Sequence, residues 1–277
     1  MKLEYKYLKD KYLNFFDNEE KCDSNLTDVL FLFKEVLPFI NNKNNLNILE
    51  IGCGTGILLR ELSTLFPKKF FFGLDPHESG FHNNKKISKN IKTNDNLTIK
   101  NTGFDKFIPN INFDIVFSFN VFEHIDNQED YLQKTNKFLS SHGKNLIMCP
   151  NYDFPYEPHF LIPILLNKRI TYFFFRKKIK NHEKKTKEIG LWKCLNLNSN
   201  KKIKKYLKKN NFDFNYDYSI KERFFDRLKN DESKYFKKRQ GLMAKFAILA
   251  KFLLLDKFLF NFLKIPFPYM KLIINKK

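Results

Sequence analysis

The sequence predicts an α/β fold: a doubly wound, seven-stranded, mostly parallel sheet with N-terminal helices and a helical insertion between its last two strands. Two observations carry that expectation. Short apolar runs alternate with helix-length amphipathic segments as far as Pro150, the pattern of a parallel sheet covered by helices on both faces. The first run feeds straight into a loop of three alternating glycines, Gly52, Gly54 and Gly56, where such sheets present helix amides and bare backbone to a nucleotide.

Residues 1–45 read as a helical cap. The opening MKLEYKYLKDKYLNFF breaks its apolar positions with charges every few residues, which suits an amphipathic helix and not the continuous apolar stretch of a signal peptide. A second helix is expected near 26–40, followed by strands at 46–51, 70–74, 97–100, 114–119 and 145–149. Beyond Pro150 strand-length runs thin out, and Lys-rich stretches such as 176–187 read as surface loops. Runs at 212–218 and 269–275 complete the sheet as a terminal antiparallel pair, giving a sheet domain of 46–220 and 266–277 and an insertion of 221–265. Within the insertion, residues 241–264 are the most apolar stretch of the chain, interrupted by Lys245, Lys251, Asp256 and Lys257. Each central charge costs about 2.5–3.5 kcal/mol in a bilayer, so a spanning helix gives way to a lid or core helix, a partner contact, or a helix lying in a membrane interface.

The 277 residues carry 50 Lys and Arg against 30 Asp and Glu, a formal charge of +20. That excess invites polyanion partners, yet Lys, Asn, Ile and Phe are used heavily from end to end, so a solvated basic surface is the first reading and a nucleic-acid face the rival. With 43% hydrophobic and 29% charged residues the chain is globular, which excludes a mainly disordered or collagenous protein. Cys22, Cys53, Cys149 and Cys194 stand far apart with no CxxC pair. Neither a disulfide framework nor a structural metal site is signalled, and a reducing, cytoplasmic setting is expected, with peripheral contact to the inner membrane surface as its variant.

The sharpest motif is Asn47-Ile48-Leu49-Glu50-Ile51-Gly52-Cys53-Gly54-Thr55-Gly56, followed by a helix from Ile57. Asp75 ends the next strand, close to the spacing of about 20 residues at which such folds place the acid that holds ribose hydroxyls. A carboxylate there can accept from both the 2′ and 3′ hydroxyls. A dinucleotide loop would read G-x-G-x-x-G, but position 57 is Ile57 and Glu50 precedes the loop, which disfavours a nicotinamide-dependent oxidoreductase. On these residues the chain resembles the class I S-adenosylmethionine-dependent methyltransferases, small-molecule and quinone-pathway O-methyltransferases among them, from about 46 to 149. The resemblance implies a Rossmann-like fold with S-adenosyl-L-methionine as methyl donor. It further implies Gly52, Cys53, Gly54 and Gly56 against the methionine portion and adenosine, Glu50 organising the loop and the cofactor ammonium, and Asp75 on the ribose. Asn120 and Val121, at the end of DIVFSFNV, would flank the methionine group, and Phe104 or Asp105 would meet the adenine.

Methyl transfer from a sulfonium is an in-line displacement, so the protein positions the acceptor and, for a hydroxyl, removes its proton. The fourth strand ends Ser118-Phe119-Asn120-Val121 and lacks the Asn/Asp-Pro-Pro-aromatic motif of enzymes that methylate bases. The acceptor is therefore expected to be a small molecule, a sugar or a lipid-linked compound methylated on oxygen, with a nucleic-acid methyltransferase or RNA-binding module as the alternative. The fifth strand runs into a loop stiffened by Pro150, Pro155 and Pro158 that carries Tyr152, Tyr156, Glu157 and His159. His159 is the candidate general base, Glu157 its orienting partner, and Tyr152 and Tyr156 acceptor contacts. His124 beside Glu123 reads as a side chain near the cofactor and not as a metal ligand, since Asn120 stands where a further carboxylate would be wanted; no metal is expected. His77, His82, His142 and His182 have no partner at chemical spacing and read as solvated.

Overall fold

The computed structural model describes residues 3–41, 45–78, 82–197, 199–233 and 266–276, together with 236, 238, 241, 245, 248, 249, 251–253 and 255. In chain order the elements are α1 (Tyr5–Tyr12), α2 (Glu19–Ile40), β1 (Asn47–Ile51), α3 (Ile57–Leu65), β2 (Phe70–Leu74), α4 (His82–Asn90), β3 (Leu97–Lys100), β4 (Phe113–Phe119), α5 (Gln128–Phe138), β5 (Leu139–Pro150), β6 (Tyr156–Glu157), β7 (Ile162–Pro163), α6 (Lys168–Thr186), α7 (Leu191–Cys194), α8 (Asn200–Lys209), β8 (Asp213–Tyr216), α9 (Ile220–Asn230) and β9 (Tyr269–Asn275). Single 3-10 turns stand at Leu13–Phe15 and Phe122–His124. The chain divides into two compact units, Met1–Lys43 with Ser219–Ile265, and Asn44–Tyr218 with Pro266–Lys277.

The second unit is the doubly wound sheet, with strand order β3-β2-β1-β4-β5-β9-β8. β1 to β5 are parallel, and only β9 is reversed, lying antiparallel to both β5 and β8. The order reverses between β1 and β4, whose carboxyl ends therefore open a crevice outside the sheet, where ligands of such folds bind. Burial on both faces explains the near-continuous apolar strands: Leu49, Leu74, Val116, Ile147 and Leu272 share one core with Tyr131 and Leu132 of α5 and Ile203 and Leu207 of α8. β1 and β5 are clamped at their starts by Asp114, whose carboxylate accepts from the Asn47 amide (2.9 Å) and from the Ser140 hydroxyl (2.8 Å).

Three elements differ from the sequence expectation. α2 begins at Glu19 because the Asn18 side chain accepts from the Lys21 amide, at 2.9 Å, and Glu19 and Glu20 face the positive end of the helix. β5 begins at Leu139, six residues before the apolar run, because the polar 140–143 stretch is absorbed as a register shift opposite Phe113 and Ile115. Gly143 permits it: a Cβ there would stand 2.9 Å from the Phe113 carbonyl oxygen. The Lys-rich 176–187 stretch belongs to α6, capped by Asn167 accepting from Ile170 N–H (3.0 Å) and closed by Lys187 at φ 62°. Lysine is a good helix former, so charge alone does not break a helix. Most of 241–264 lies outside the described residues, and no helix among the described residues is long and apolar enough to cross a membrane.

In the first unit α9 docks on α2 through two arginines. Arg223 clasps the buried Glu35 carboxylate with Nε and with Nη2, the latter at 2.9 Å, and Arg227 meets Asp28 at 2.7 Å with its guanidinium over Phe31 and Phe236.

Asp114→Ala should lower the urea midpoint by the equivalent of about 1–3 kcal/mol with an unchanged denaturant slope, because it leaves the Asn47 amide and Ser140 hydroxyl without their acceptor. An unchanged midpoint would show that this clamp does not hold the strand starts.

Candidate active site

The glycine loop turns from β1 into α3 at the carboxyl edge of the sheet. Gly52 sits at φ +74°, and a Cβ on it would collide with the Val121 side chain, so the loop lies flat against the turn that follows β4. The Gly52 and Cys53 amides both donate to the Leu74 carbonyl, at 2.7 and 3.1 Å. Gly73, inside β2, makes room from the other side: a Cβ there would stand 2.8 Å from both Cys53 Sγ and Leu59 Cδ1. The Cys53 thiol is thus spent on packing, and burial pushes its pKa up. Gly56, at φ +76°, caps α3 beneath Ile99.

Asp75 braces this loop. One carboxylate oxygen accepts from the Gly54 amide (2.8 Å) and the other from the His77 amide (2.7 Å). His77, expected in solvent, is 3% exposed. It is held at φ +53°, its Nε2 donates to the Gly54 carbonyl at 3.0 Å, and its Nδ1 meets the Asn101 side chain at 2.9 Å. Its place two residues after Asp75 is the signal that could have found it. Of the other histidines expected in solvent, His142 is exposed, His182 packs edge-on against Phe160, and the His82 side chain lies outside the described residues.

Glu50 is buried beside Asp75, and one of its oxygens, Oε2, has no hydrogen-bond partner among the described residues. Burial, then the Asp75 charge, pushes its pKa well above the carboxylate range. Two neighbouring carboxylates beside a flat strip of backbone make a cradle that wants a ligand with a cationic head and hydroxyl donors. Phe104, by contrast, is largely used in packing: its ring lies edge-on to Tyr131 at 4.9 Å, beneath Lys134. Asp105 is exposed and curls over Gly103.

Directly after β4, Asn120 stands at φ +53°, donating its amide to the Met148 carbonyl and accepting from the Tyr269 hydroxyl, both at 2.9 Å. The proline-stiffened loop after β5 returns through the β6–β7 hairpin and brings His159 to this edge. Its Nδ1 lies 2.6 Å from Glu157 Oε1; a carboxylate only accepts, so Nδ1 carries a proton and donates it to this bond. Glu157, fully buried, also accepts from the amides of His159 (3.2 Å) and Phe160 (2.7 Å) and from the Tyr152 hydroxyl (3.2 Å). Burial works against its charge, but His159 and these amides outweigh it and lower its pKa. Tyr156 is half-buried on β6.

The structure also gathers what sequence spacing kept apart. Glu123 Oε1 lies 4.0 Å from His124 Nε2 and 4.0 Å from His159 Nε2, and ligand atoms of these three residues fall within 4.8 Å of one another, a set able to hold a metal ion. Glu123 is wholly buried, neither of its oxygens has a hydrogen-bond partner among the described residues, and burial raises its pKa to about 7. His124 faces the Cys194 thiol with Nδ1 at 3.2 Å, and burial, with His159 nearby, lowers its pKa to about 3, so it is neutral.

Residues 49–144 match a family described as Methyltransferase domain. This chain carries a class I methyltransferase domain. An uncharacterized protein of Mycobacterium tuberculosis is 35% identical over 105 residues, 38% of this chain and 36% of that protein. Malonyl-[acyl-carrier protein] O-methyltransferase 2 of Ilyobacter polytropus is 27% identical over 128 residues, 46% of each. The match thus spans from about a third to under half of these relatives' length. The crystal structure of the plantazolicin methyltransferase BpumL with a monoazolic desmethylPZN analogue and SAH superposes with a TM-score of 0.52 at 14% identity, covering 97% of this chain and 90% of that one, which is likeness of fold. The matched segment of the methyltransferase domain contains the glycine loop, Asp75 and the Glu123–His124 turn, but not His159.

Because the folded chain keeps the Glu50 proton that the unfolded chain releases above about pH 4.5, stability of the methyltransferase domain should fall as pH rises from there towards neutrality. Glu50→Gln should flatten that slope. Urea unfolding at about pH 5 and about pH 8 reads it, and parallel slopes for both proteins would remove Glu50 as the cause.

Proposed function

We propose that this chain is an S-adenosylmethionine-dependent methyltransferase that methylates an oxygen of a small-molecule, sugar or lipid-linked acceptor. The observation that carries the reading is that two sets of buried carboxylates lie at the carboxyl edge of one mostly parallel sheet. On one side stand the buried Glu50, whose Oε2 has no hydrogen-bond partner among the described residues, and the loop-bracing Asp75; on the other stands His159, with its Nδ1–H held by the Glu157 carboxylate. The match to methyltransferases, an O-methyltransferase among them, supports it.

In this reading the backbone of 52–54 lies along the donor, Glu50 takes its ammonium, and Asp75 uses its remaining lone pairs for the ribose hydroxyls. The bound donor supplies the methyl on a sulfonium whose departing sulfur is neutral. His159 Nε2 takes the acceptor hydroxyl's proton as the oxygen attacks, and the resulting imidazolium is held by the Glu157 carboxylate through Nδ1–H. Tyr152 and the Phe160 amide keep Glu157 in place, and Tyr156 lines the acceptor side. A second reading rests on the Glu123, His124 and His159 cluster. One carboxylate oxygen and two imidazole nitrogens are the donor set of a divalent ion such as zinc, which would orient the acceptor oxygen and lower its pKa.

Calorimetric titration with S-adenosylhomocysteine, with NADH as control, should give micromolar binding that Asp75→Ala weakens by roughly 10- to 100-fold. Absence of binding by the folded wild type would overturn the donor assignment. Once labelled-methyl transfer to extracts has supplied an acceptor, His159→Ala should lower kcat by about 10²- to 10⁴-fold while homocysteine-nucleoside affinity stays unchanged. Turnover that collapses with chelator and returns with a divalent cation would instead assign His159 to the metal reading.

A further inference from the structure

Helix α6 has two faces of opposite character. Thr171, Tyr172, Phe175 and Ile179 turn inward, and the aromatic and aliphatic ones among them pack with Phe160, Leu191 and Trp192 in a core separate from that of the sheet. A solvated helix would carry only polar groups on its other side. Here Phe173 and Phe174 stand 69% and 65% exposed, their rings packed edge to face at 5.4 Å against each other and not against the core. Leu166, directly before the cap residue Asn167, is 91% exposed and held at φ +51°, a conformation unfavourable for leucine.

The charges around these rings are all of one sign. Arg169, Arg176, Lys177, Lys180 and Lys184 fall at i−4, i+3, i+4, i+7 and i+11 from Phe173, hence on its side of the helix, and all five are exposed. Lys168 and Lys178 are tied to backbone carbonyls. The one acid of the helix, Glu183, is occupied by the Trp192 amide at 2.9 Å. An exposed aromatic pair ringed by exposed cations that have no ion-pair partner among the described residues is a surface that both inserts into hydrocarbon and attracts anionic headgroups. The same rings could stack on bases, but the exposed aliphatic Leu166 gains nothing from stacking and gains from hydrocarbon.

We propose that α6 docks this protein on an anionic lipid bilayer, with Phe173, Phe174 and Leu166 entering the interface and the five cations facing headgroup phosphates. The inner face of α6 packs on Phe160, the residue after His159, so docking would bring the acceptor side of the crevice close to the membrane. The inference concerns where the protein works and does not depend on methyl transfer; nucleoside binding and membrane binding can fail separately.

The test is flotation of the full chain with vesicles of phosphatidylcholine alone and of phosphatidylcholine with phosphatidylglycerol, at low and high salt. The wild type should float only with the anionic vesicles and be released by salt. Phe173→Ser with Phe174→Ser should weaken that partition by roughly tenfold or more, and Arg176→Gln with Lys180→Gln should weaken it and reduce its salt dependence. These side chains are exposed, so unchanged circular dichroism and unchanged S-adenosylhomocysteine affinity keep the comparison clean. Failure of the wild type to float overturns the proposal, as does equal flotation by the Phe173/Phe174 variant, which would move the contact to another segment. Retention of RNA that these substitutions abolish, without flotation, would also overturn it and make a nucleic acid the occupant.

Discussion

The glycine-loop end of the candidate site depends on what the Asp75 carboxylate holds. Its two oxygens fix the Gly54 and His77 amides, and His77 returns to the Gly54 carbonyl, so both polar groups of one glycine are pinned from the end of the neighbouring strand. The loop is shaped before any ligand arrives, which spares binding the entropy of ordering it. The cost is electrostatic. Glu50 is buried beside Asp75, no ion pair joins it to a cation among the described residues, and its raised pKa records the conflict. A ligand that brings a positive charge to that position relieves a strain already present in the fold, an instance of stability given up at a functional site.

The Glu157–His159 end is built on the same plan from different material. Glu157 is stabilised as an anion by two amides, a tyrosine hydroxyl and His159, whereas Glu123, as deeply buried and without a hydrogen-bond partner among the described residues, has its pKa pushed up. Two carboxylates on either side of one imidazole are thereby driven apart in proton affinity, the arrangement by which a site separates groups that hold charge from groups that hold protons. Cys194 on α7 sets the far side of His124, so the turn after β4 is supported from an element about 70 residues later.

Much of this was legible from sequence because it is local. The strands announce themselves through apolar runs, the glycine loop through residue type, and Asp75 through its distance from Gly56. What stayed hidden depends on partners distant in the chain. His77 looks like any loop histidine until Asn101 and Gly54 are placed around it. Phe104 fits an adenine position by order, yet its ring meets Tyr131, which no spacing rule reveals. Glu123 and His124 were readable as a pair, but their meeting with His159 is decided by the path of the loop after β5. The misreading of 176–187 as a loop has a different cause: lysine density reports solvation and says little about backbone conformation, and the inward period of Tyr172, Phe175 and Ile179 carried the true signal.

The excess positive charge and the buried carboxylates act on different length scales, which reconciles a strongly basic protein with a site suited to a cationic ligand. Surface lysines are screened within about 8–10 Å at physiological salt, while Glu50 and Asp75 act at contact distance in a desolvated pocket where Coulomb interactions are strongest. The lysines therefore do little to weaken recognition of a small cation. They matter for large, extended polyanions that meet many of them at once. Helix α8 shows the compositional background, with Ile203 and Leu207 turned into the core and lysines into water. α6 departs from that background because apolar rings stand among its cations, and it is that departure, more than the net charge of +20, which gives its surface a directed chemistry.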